Sequence, residues 1–171
     1  METYTIDTEW FDEGGYCQVY PIKGHKELVF KEFYDKKRAS VSYLLNKKLA
    51  RYDLAPKVFG KLQKLEYTYM GISETTNWGY ITEYAKTYKA NTKISMKQIQ
   101  SLVTNIECLT GLKFWDCHWY NVGLVKRGRT KKLVCIDTGK ESFQPTANAW
   151  GNPDPGPKCS YCNTYKCNCE E

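Results

Sequence analysis

Short segments of mixed apolar and polar residues alternate with turn residues over the first part of the chain. Strands are expected from Tyr4 onward, over 18–22 and over 27–33, with the tip of a hairpin at 23–26. Strands that follow one another through short turns usually pair antiparallel. The pattern therefore predicts a small antiparallel sheet.

An amphipathic helix follows this sheet. Apolar residues recur at helical spacing over 39–52, and Pro56 closes the segment because proline restricts the residue before it. The residues of the expected apolar stripe are Val41, Leu44, Leu45, Leu49 and Tyr52. Segments 57–69 and 78–83 then return to strand-like composition, with the polar loop 73–77 between them. The sheet is expected to gain two more strands.

A second helix and a second hairpin come next. Ser95 suits the N-cap of that helix and Gly111 suits its C-terminal end, and the apolar positions between them form a stripe that predicts core packing. Segments 121–125 and 132–136 are typical of two strands joined by the turn 127–130. The order is therefore loop, strand, turn, strand, loop.

Composition places the chain among folded globular proteins, since 42% of its 171 residues are hydrophobic and 15% are aromatic. We expect a domain over residues 1–143, a linker rich in proline and glycine over 144–157, and a cysteine-rich tail over 158–171. No apolar run approaches the roughly 18 to 20 residues that cross a bilayer, and the N-terminus is acidic rather than signal-like. We expect a cytoplasmic protein without a membrane partner.

The net charge of +6 comes partly from two basic segments, residues 36–38 and 126–132. Such segments are most often a solvated face or a hairpin tip. A contact for nucleic acid or another polyanion is the alternative that the charge leaves open.

Two loops carry residues suited to phosphate chemistry. Asp116 and Asn121 lie five positions apart after the second helix, and Asp137 follows the hairpin two positions before Gly139. Phosphoryl transfer needs oxygen ligands for magnesium and a group that orients the attacking hydroxyl. Asp137 and Asn121 suit the ligand role, and Asp116 suits the base. Alone, such residues are more often turn or capping residues, and a strand lysine such as Lys31 more often lies at an edge.

In this order the residues resemble the protein-kinase-like superfamily, over roughly residues 10–143. The loop 116–121 has the Asp-x-His-x-x-Asn form of the aminoglycoside phosphotransferases and other small-molecule kinases. The resemblance implies an α+β, minimal protein-kinase-like fold with an antiparallel-sheet N-lobe and a truncated C-lobe. The small size of the chain and the amino-acid sequences of its two loops resemble those of kinase-like proteins encoded by bacteriophages. This resemblance implies a location in the host cytoplasm.

The resemblance also implies roles for single residues. Asp116 would be the catalytic base, with His118 as a loop-supporting residue, and Asn121 and Asp137 would hold Mg²⁺. Lys31 would contact the phosphates of ATP.

Two further segments would bind the nucleotide. Glu83, Tyr84 and Ala85 would form the hinge that pairs with adenine through backbone groups, and Gly14 and Val19 would belong to the glycine-rich loop. The two successive glycines that begin at Gly14 form a plain turn about as often as a phosphate-binding loop.

The chain departs from the family pattern in three respects. Only Gly14 and Val19 of the segment 12–19 fall in the register of the glycine-rich loop. The helix 39–52 contains no glutamate to pair with Lys31, so Asp35, Glu66 or another carboxylate would have to substitute. About 30 residues follow Asp137, so we expect the helical region that binds peptide substrates in ordinary protein kinases to be almost wholly missing.

The tail carries four cysteines within a short reach, Cys159, Cys162, Cys167 and Cys169. Four thiolates are the ligand set of a structural Zn²⁺ site, and metal binding would then fold a tail too small to form a core. Reduced unligated thiols are the second alternative. Disulfides are the poorer one in a chain without an export signal.

Three functions remain open from the sequence. The first is an ATP- and Mg²⁺-dependent phosphotransferase that acts on an unidentified protein or small-molecule hydroxyl. The second is a catalytically inactive kinase-like module that binds a nucleotide or a partner. The third is a basic protein that binds nucleic acid or a host protein.

Overall fold

The computed structural model describes residues 4–8, 17–87, 94–118 and 120–145, and the backbone of residues 12–13. These residues form antiparallel sheets, two α-helices and one 3-10 turn at Lys140–Ser142. The strands are β1 Asp12–Glu13, β2 Cys17–Ile22, β3 His25–Phe33, β4 Val58–Gln63, β5 Glu66–Tyr69, β6 Ile72–Thr75, β7 Gly79–Glu83, β8 Lys86–Thr87, β9 Leu112–Phe114, β10 Val122–Arg127, β11 Thr130–Cys135 and β12 Phe143–Pro145. The helices are α1 Lys36–Ala50 and α2 Met96–Thr110.

The main sheet has five strands in the order β1-β2-β3-β7-β4. Its long strand β3 pairs with β2 on one side and β7 on the other, so Lys31 lies between Val19 and Tyr80 in adjacent strands. The predicted antiparallel sheet is confirmed. Where the structure describes the segment from Tyr4, it contains β1 and one bridge between Ile6 and Ile22.

The structure corrects the prediction for 57–77, where one strand and a polar loop were expected. Three strands occur there, and the expected loop is largely β6, paired with β5. Met70 and Gly71 have φ values of 50° and 80°, the left-handed conformation that closes a two-residue hairpin. Gly71 is the signal in the sequence that marks this turn.

Helix α1 begins three residues earlier than predicted because Asp35 caps it, with its side chain accepting from the Arg38 amide at 2.8 Å. Its buried face also differs from the predicted stripe. Val41 and Leu44 are exposed. Leu49 is buried as predicted, and the other buried residues are Ala39, Ser42 and Asn46. Two polar side chains therefore lie on the core-facing side of this helix.

Helix α2 agrees with its prediction. Ser95 and Gln98 form a capping box at its start, and Gly111 ends it in the left-handed conformation at φ 66°. Leu102 and Ile106 are its buried residues. Within the described residues, neither helix has the length and apolarity that a bilayer crossing requires.

The hairpin β10–β11 is longer than predicted and has a two-residue turn, because Arg127 and Thr130 already pair with each other. Strand β12 pairs with β9 through Pro145, two residues past the expected domain boundary. Both hairpin and pair border the larger of the two main hydrophobic clusters, which also receives side chains from α1 and α2. The other main cluster lies on one face of the five-stranded sheet.

Arg127 joins three segments that are distant in the sequence. Its Nη1 donates to both Glu83 carboxylate oxygens at 2.7 and 2.9 Å, and its Nε donates to Asp53 Oδ1 at 2.7 Å. The hydrogen bond from Arg127, opposed by a smaller effect of burial, lowers the pKa of Asp53. A carboxylate whose pKa is lower in the folded than in the unfolded state stabilises the fold at a pH above its ordinary pKa. This stabilisation is lost as the pH falls from the ordinary pKa through the lowered pKa of the folded state.

We therefore expect Arg127→Met to lower the free energy of unfolding by about 2 kcal/mol at neutral pH, between the effects of exposed and of fully buried ion pairs. The loss should shrink below pH 3.8, the ordinary pKa of Asp53, since the protonated carboxyl no longer gains from the arginine. Urea denaturation at pH 7 and pH 3 measures both values. Arg129→Met, in the exposed turn, is the control, and an equal loss in both variants would contradict the prediction.

Candidate functional site

The loop after β9 is held by hydrogen bonds within itself. Asn121 Nδ2 donates to Asp116 Oδ2 at 2.9 Å and to the Asp116 carbonyl at 3.0 Å. His118 Nε2 lies 3.4 Å from Asp116 Oδ1, and its Nδ1 accepts from the Tyr120 amide at 3.3 Å. Since Asn121 uses its amide nitrogen for Asp116, its Oδ1 is the atom that remains to bind a ligand.

Asp137 leads out of β11 and is fixed by its own loop. The Gly139 amide donates to Asp137 Oδ1 at 2.8 Å, and the Ser142 hydroxyl donates to Asp137 Oδ2 at 2.6 Å. The Cys135 thiol contacts the Asp137 carbonyl at 3.0 Å. A carboxylate has about four lone-pair sites, so these two donors leave room for a cation.

Ser142 brings the two acidic loops together. Its Oγ lies 3.5 Å from Asp116 Oδ2 while it donates to Asp137, so one hydroxyl touches both carboxylates. Ser142 is 1% exposed. Sequence analysis did not identify this residue, because nothing in its local pattern distinguishes it from a turn serine.

We expect Ser142→Ala to lower the free energy of unfolding by about 1 to 3 kcal/mol, because a half-buried carboxylate loses a donor that no water replaces easily. Ser101→Ala, at an exposed position of α2, is the matched control and should have almost no effect. Equilibrium denaturation in urea compares them. Equal stability of the two variants would show that Ser142 does not hold the carboxylates.

Lys31 reaches the same place from the five-stranded sheet. Its side chain is 8% exposed, and its Nζ donates to the Ile136 carbonyl, one residue before Asp137, at 2.6 Å. Burial alone would lower the pKa of Lys31, but the net shift is upward. Since Tyr80 keeps its proton, the nearby charge that favours the charged form of Lys31 at neutral pH is that of Asp137. Lys31 is therefore a cation at neutral pH.

The carboxylates that were expected to replace a helix glutamate are elsewhere. Asp35 caps α1 and pairs with Arg38, and Glu66 is exposed on β5. The acidic side chain whose charge acts on Lys31 is Asp137. Of the expected alternatives, Asp35 and Glu66 do not replace the helix glutamate, and another carboxylate, Asp137, acts on Lys31.

The expected nucleotide-binding residues border this site where the structure describes them. Val19 is opposite Lys31 on β2, so both side chains are on one face of the sheet. The Ala85 side chain is buried with Val125 and Val134, next to Ile136. The Glu83 carboxylate binds Arg127, its amide donates to the Lys57 carbonyl at 2.8 Å, and its carbonyl accepts from Thr82 Oγ1 at 3.1 Å.

Two sets of predicted residues lie outside the described part of the chain. These are Gly14 of the expected glycine-rich loop, and the four tail cysteines Cys159, Cys162, Cys167 and Cys169. Their roles stay predictions. Loss of residues 158–171 without loss of metal content would contradict the Zn²⁺ prediction.

The cysteines beside the site remain neutral thiols. Burial, reinforced by Asp116, raises the pKa of Cys117 to about 11, and burial raises the pKa of Cys135 strongly. Neither is poised to act as a nucleophile or to bind a metal as a thiolate.

The donor atoms of the site are oxygens. Asp137, Asn121 and Asp116 supply carboxylate and amide oxygens, which suit Mg²⁺. Among the described residues, no group of three or more His, Cys, Asp and Glu side chains is arranged to hold a metal by itself. Mg²⁺ is usually held by one or two carboxylates together with water and substrate phosphates, so this donor set fits it.

Comparison with known proteins bears on the fold. No family model and no curated protein matches the sequence. Among solved structures, the chain is similar to the kinase PK-1 of Cydia pomonella granulovirus, with a TM-score of 0.53 and 16% sequence identity. The likeness supports a kinase-like fold. It covers 92% of this chain and 58% of that structure, and at this identity it speaks for the fold alone.

Proposed function

We propose that this chain is an atypical, minimal phosphotransferase that uses ATP and Mg²⁺. The observation that carries the proposal is the convergence of Lys31, the Asp116–Asn121 pair and Asp137 on one small space, from three segments far apart in the sequence. A buried cation beside two carboxylates and an amide is suited to a magnesium-bound triphosphate. The kinase-like fold is compatible with this chemistry.

Each residue has a task that its surroundings allow. Lys31 would neutralise phosphate oxygens, since it is charged and its side chain is on the same face of the sheet as that of Val19. Asp137 and Asn121 Oδ1 would hold Mg²⁺, which offsets the negative charge of the phosphates during transfer. Asp116 would orient the acceptor hydroxyl and take its proton as the oxygen bonds to the γ-phosphorus and ADP leaves.

Nucleotide recognition would use the segment from Glu83 to Ala85. Its backbone lies between β7 and the base of the hairpin β10–β11, beside Ile136. The acceptor is a hydroxyl of a protein or a small molecule. The glycine-rich loop at Gly14 would cover the phosphates.

A second function has one observation in its favour. Lys31 is not paired with a carboxylate of α1, and it already donates to the Ile136 carbonyl. A chain of this kind could bind nucleotide without transferring phosphate. This alternative is a kinase-like module that binds a nucleotide or a partner.

One experiment separates the two functions. The melting temperature of the full chain is measured with ATP, with Mg²⁺ and with both, and ADP release is followed in parallel. Stabilisation by ATP that depends on Mg²⁺, together with ADP release, supports the phosphotransferase. Stabilisation without ADP release selects the nucleotide-binding module. No stabilisation by ATP and Mg²⁺ refutes the phosphotransferase and leaves, of the second function, only a module that binds a partner.

A further inference from the structure

Three buried hydroxyl groups meet beside the site. Ser42 Oγ lies 2.8 Å from the Tyr80 hydroxyl and 2.9 Å from Thr138 Oγ1, and the last two are 3.2 Å apart. All three residues are completely buried. They come from α1, β7 and the loop of Asp137, which are separated by 38 to 96 positions in the sequence.

The protons of this group can be assigned. In the arrangement that gives every hydroxyl an acceptor, Thr138 Oγ1 donates to the Ser42 carbonyl at 3.1 Å and accepts from the Ser42 hydroxyl. Ser42 Oγ in turn accepts from Tyr80, whose pKa is raised by burial, so that its hydroxyl keeps its proton. Each hydroxyl donates once. A buried polar network in which every donor is used rigidifies the segments that it joins.

The network of three hydroxyl groups lies next to the residues of the site. Thr138 is the residue between Asp137 and Gly139, so fixing its side chain restricts where the Asp137 carboxylate can be. Tyr80 is opposite Lys31 on the neighbouring strand. The network thus connects α1 to both the acidic loop and the lysine strand, and α1 itself contains no glutamate.

We infer that Ser42, Tyr80 and Thr138 are positioning residues that couple α1 to the Asp137 loop through neutral hydrogen bonds, where an ion pair between helix and lysine is absent. The inference rests on the proposed function, because its purpose is to hold Asp137 for Mg²⁺. The coupling itself is a property of the fold. It can therefore be tested with and without nucleotide.

The test uses Thr138→Val, which keeps the shape of the side chain and removes the hydroxyl, and Thr138→Ser, which retains it. Ser42→Ala and the double variant complete a cycle. Thr76→Val is the matched control, since Thr76 is also buried and its hydroxyl bonds to the Leu65 amide and the Asn77 carbonyl, which are outside the network. The ATP dissociation constant is measured by calorimetry with and without Mg²⁺, and hydrogen exchange is followed at residues 136–139.

We expect Thr138→Val to weaken ATP binding about tenfold in Mg²⁺, equivalent to about 1.4 kcal/mol, and less than about twofold without it. Exchange at 136–139 should accelerate, Thr138→Ser should restore both values, and Ser42→Ala should add little to Thr138→Val. The Thr76 control should lower stability alone. Additive effects of Ser42 and Thr138, or the same loss of affinity in Thr76→Val, would overturn the inference.

Failure of the proposed function gives a different result. If the unsubstituted chain gains no ATP affinity from Mg²⁺, the phosphotransferase proposal fails, and the exchange measurement alone decides the coupling. Unchanged exchange at 136–139 in both Thr138→Val and Ser42→Ala would then refute it. Faster exchange in both variants, without additivity, would sustain the coupling as a feature of the fold.

Discussion

Asp137→Asn is expected to abolish the part of ATP binding that depends on Mg²⁺. Asparagine keeps the shape of the side chain: its Oδ1 can still accept from the Gly139 amide, and its Nδ2 can donate to the Ser142 hydroxyl oxygen in place of the present bond. It removes the negative charge that would hold the cation. Loss of residues that merely support metal ligands costs about 10- to 100-fold in metal affinity, so loss of a ligand should cost at least about 100-fold.

Calorimetric titration of ATP at several Mg²⁺ concentrations measures this effect. Glu66→Gln is a suitable control, since Glu66 is exposed on β5 and the substitution removes the same charge. Magnesium-dependent ATP binding that survives Asp137→Asn at full strength would show that the cation is held elsewhere.

Asp116→Asn should separate binding from catalysis. The substituted side chain can still accept a hydrogen bond from Asn121, so the loop is expected to keep its shape. It can no longer take the proton of an acceptor hydroxyl. We expect the rate of phosphate transfer to fall by about 10² to 10⁴, while the affinity for ATP with Mg²⁺ stays within about threefold of the original value, a difference below 1 kcal/mol.

The rate is followed as ADP formation, and the affinity by the same titration as for Asp137→Asn. A variant that loses binding and rate together would indicate that Asp116 is a metal ligand rather than a base. A variant that loses neither would remove Asp116 from the mechanism. The two variants are thus expected to differ in ATP affinity: Asp137→Asn loses magnesium-dependent binding, whereas Asp116→Asn keeps it and loses the rate of phosphate transfer.

The sequence predicted the structure correctly where a few neighbouring residues determine the backbone conformation, as at the ends of a helix. The capping box at Ser95 and the left-handed Gly111 define α2 without help from the rest of the chain. The turn at Gly71 was equally local, yet the polar composition of the following residues concealed β6. Propensity fails there because an exposed hairpin needs few apolar residues.

Helix α1 shows the opposite case. Its apolar residues suggested a buried stripe through Val41 and Leu44, but the buried face carries Ser42 and Asn46. The Ser42 hydroxyl and Asn46 Nδ2 are acceptable in the interior because partners come from other segments, such as the Pro56 carbonyl for Asn46 Nδ2 at 2.7 Å, whereas Asn46 Oδ1 has no partner. Such partners cannot be inferred from helical periodicity.

For the candidate site, the sequence by itself selected Lys31, Asp116, Asn121 and Asp137, because residue type and order along the chain were sufficient to single them out. Only the tertiary structure decided that they meet, that Ser142 touches both carboxylates, and that Lys31 contacts the Ile136 carbonyl. The physical reason is that hydrogen bonds act over about 3 Å in space, whereas these groups are separated along the chain by up to 105 positions.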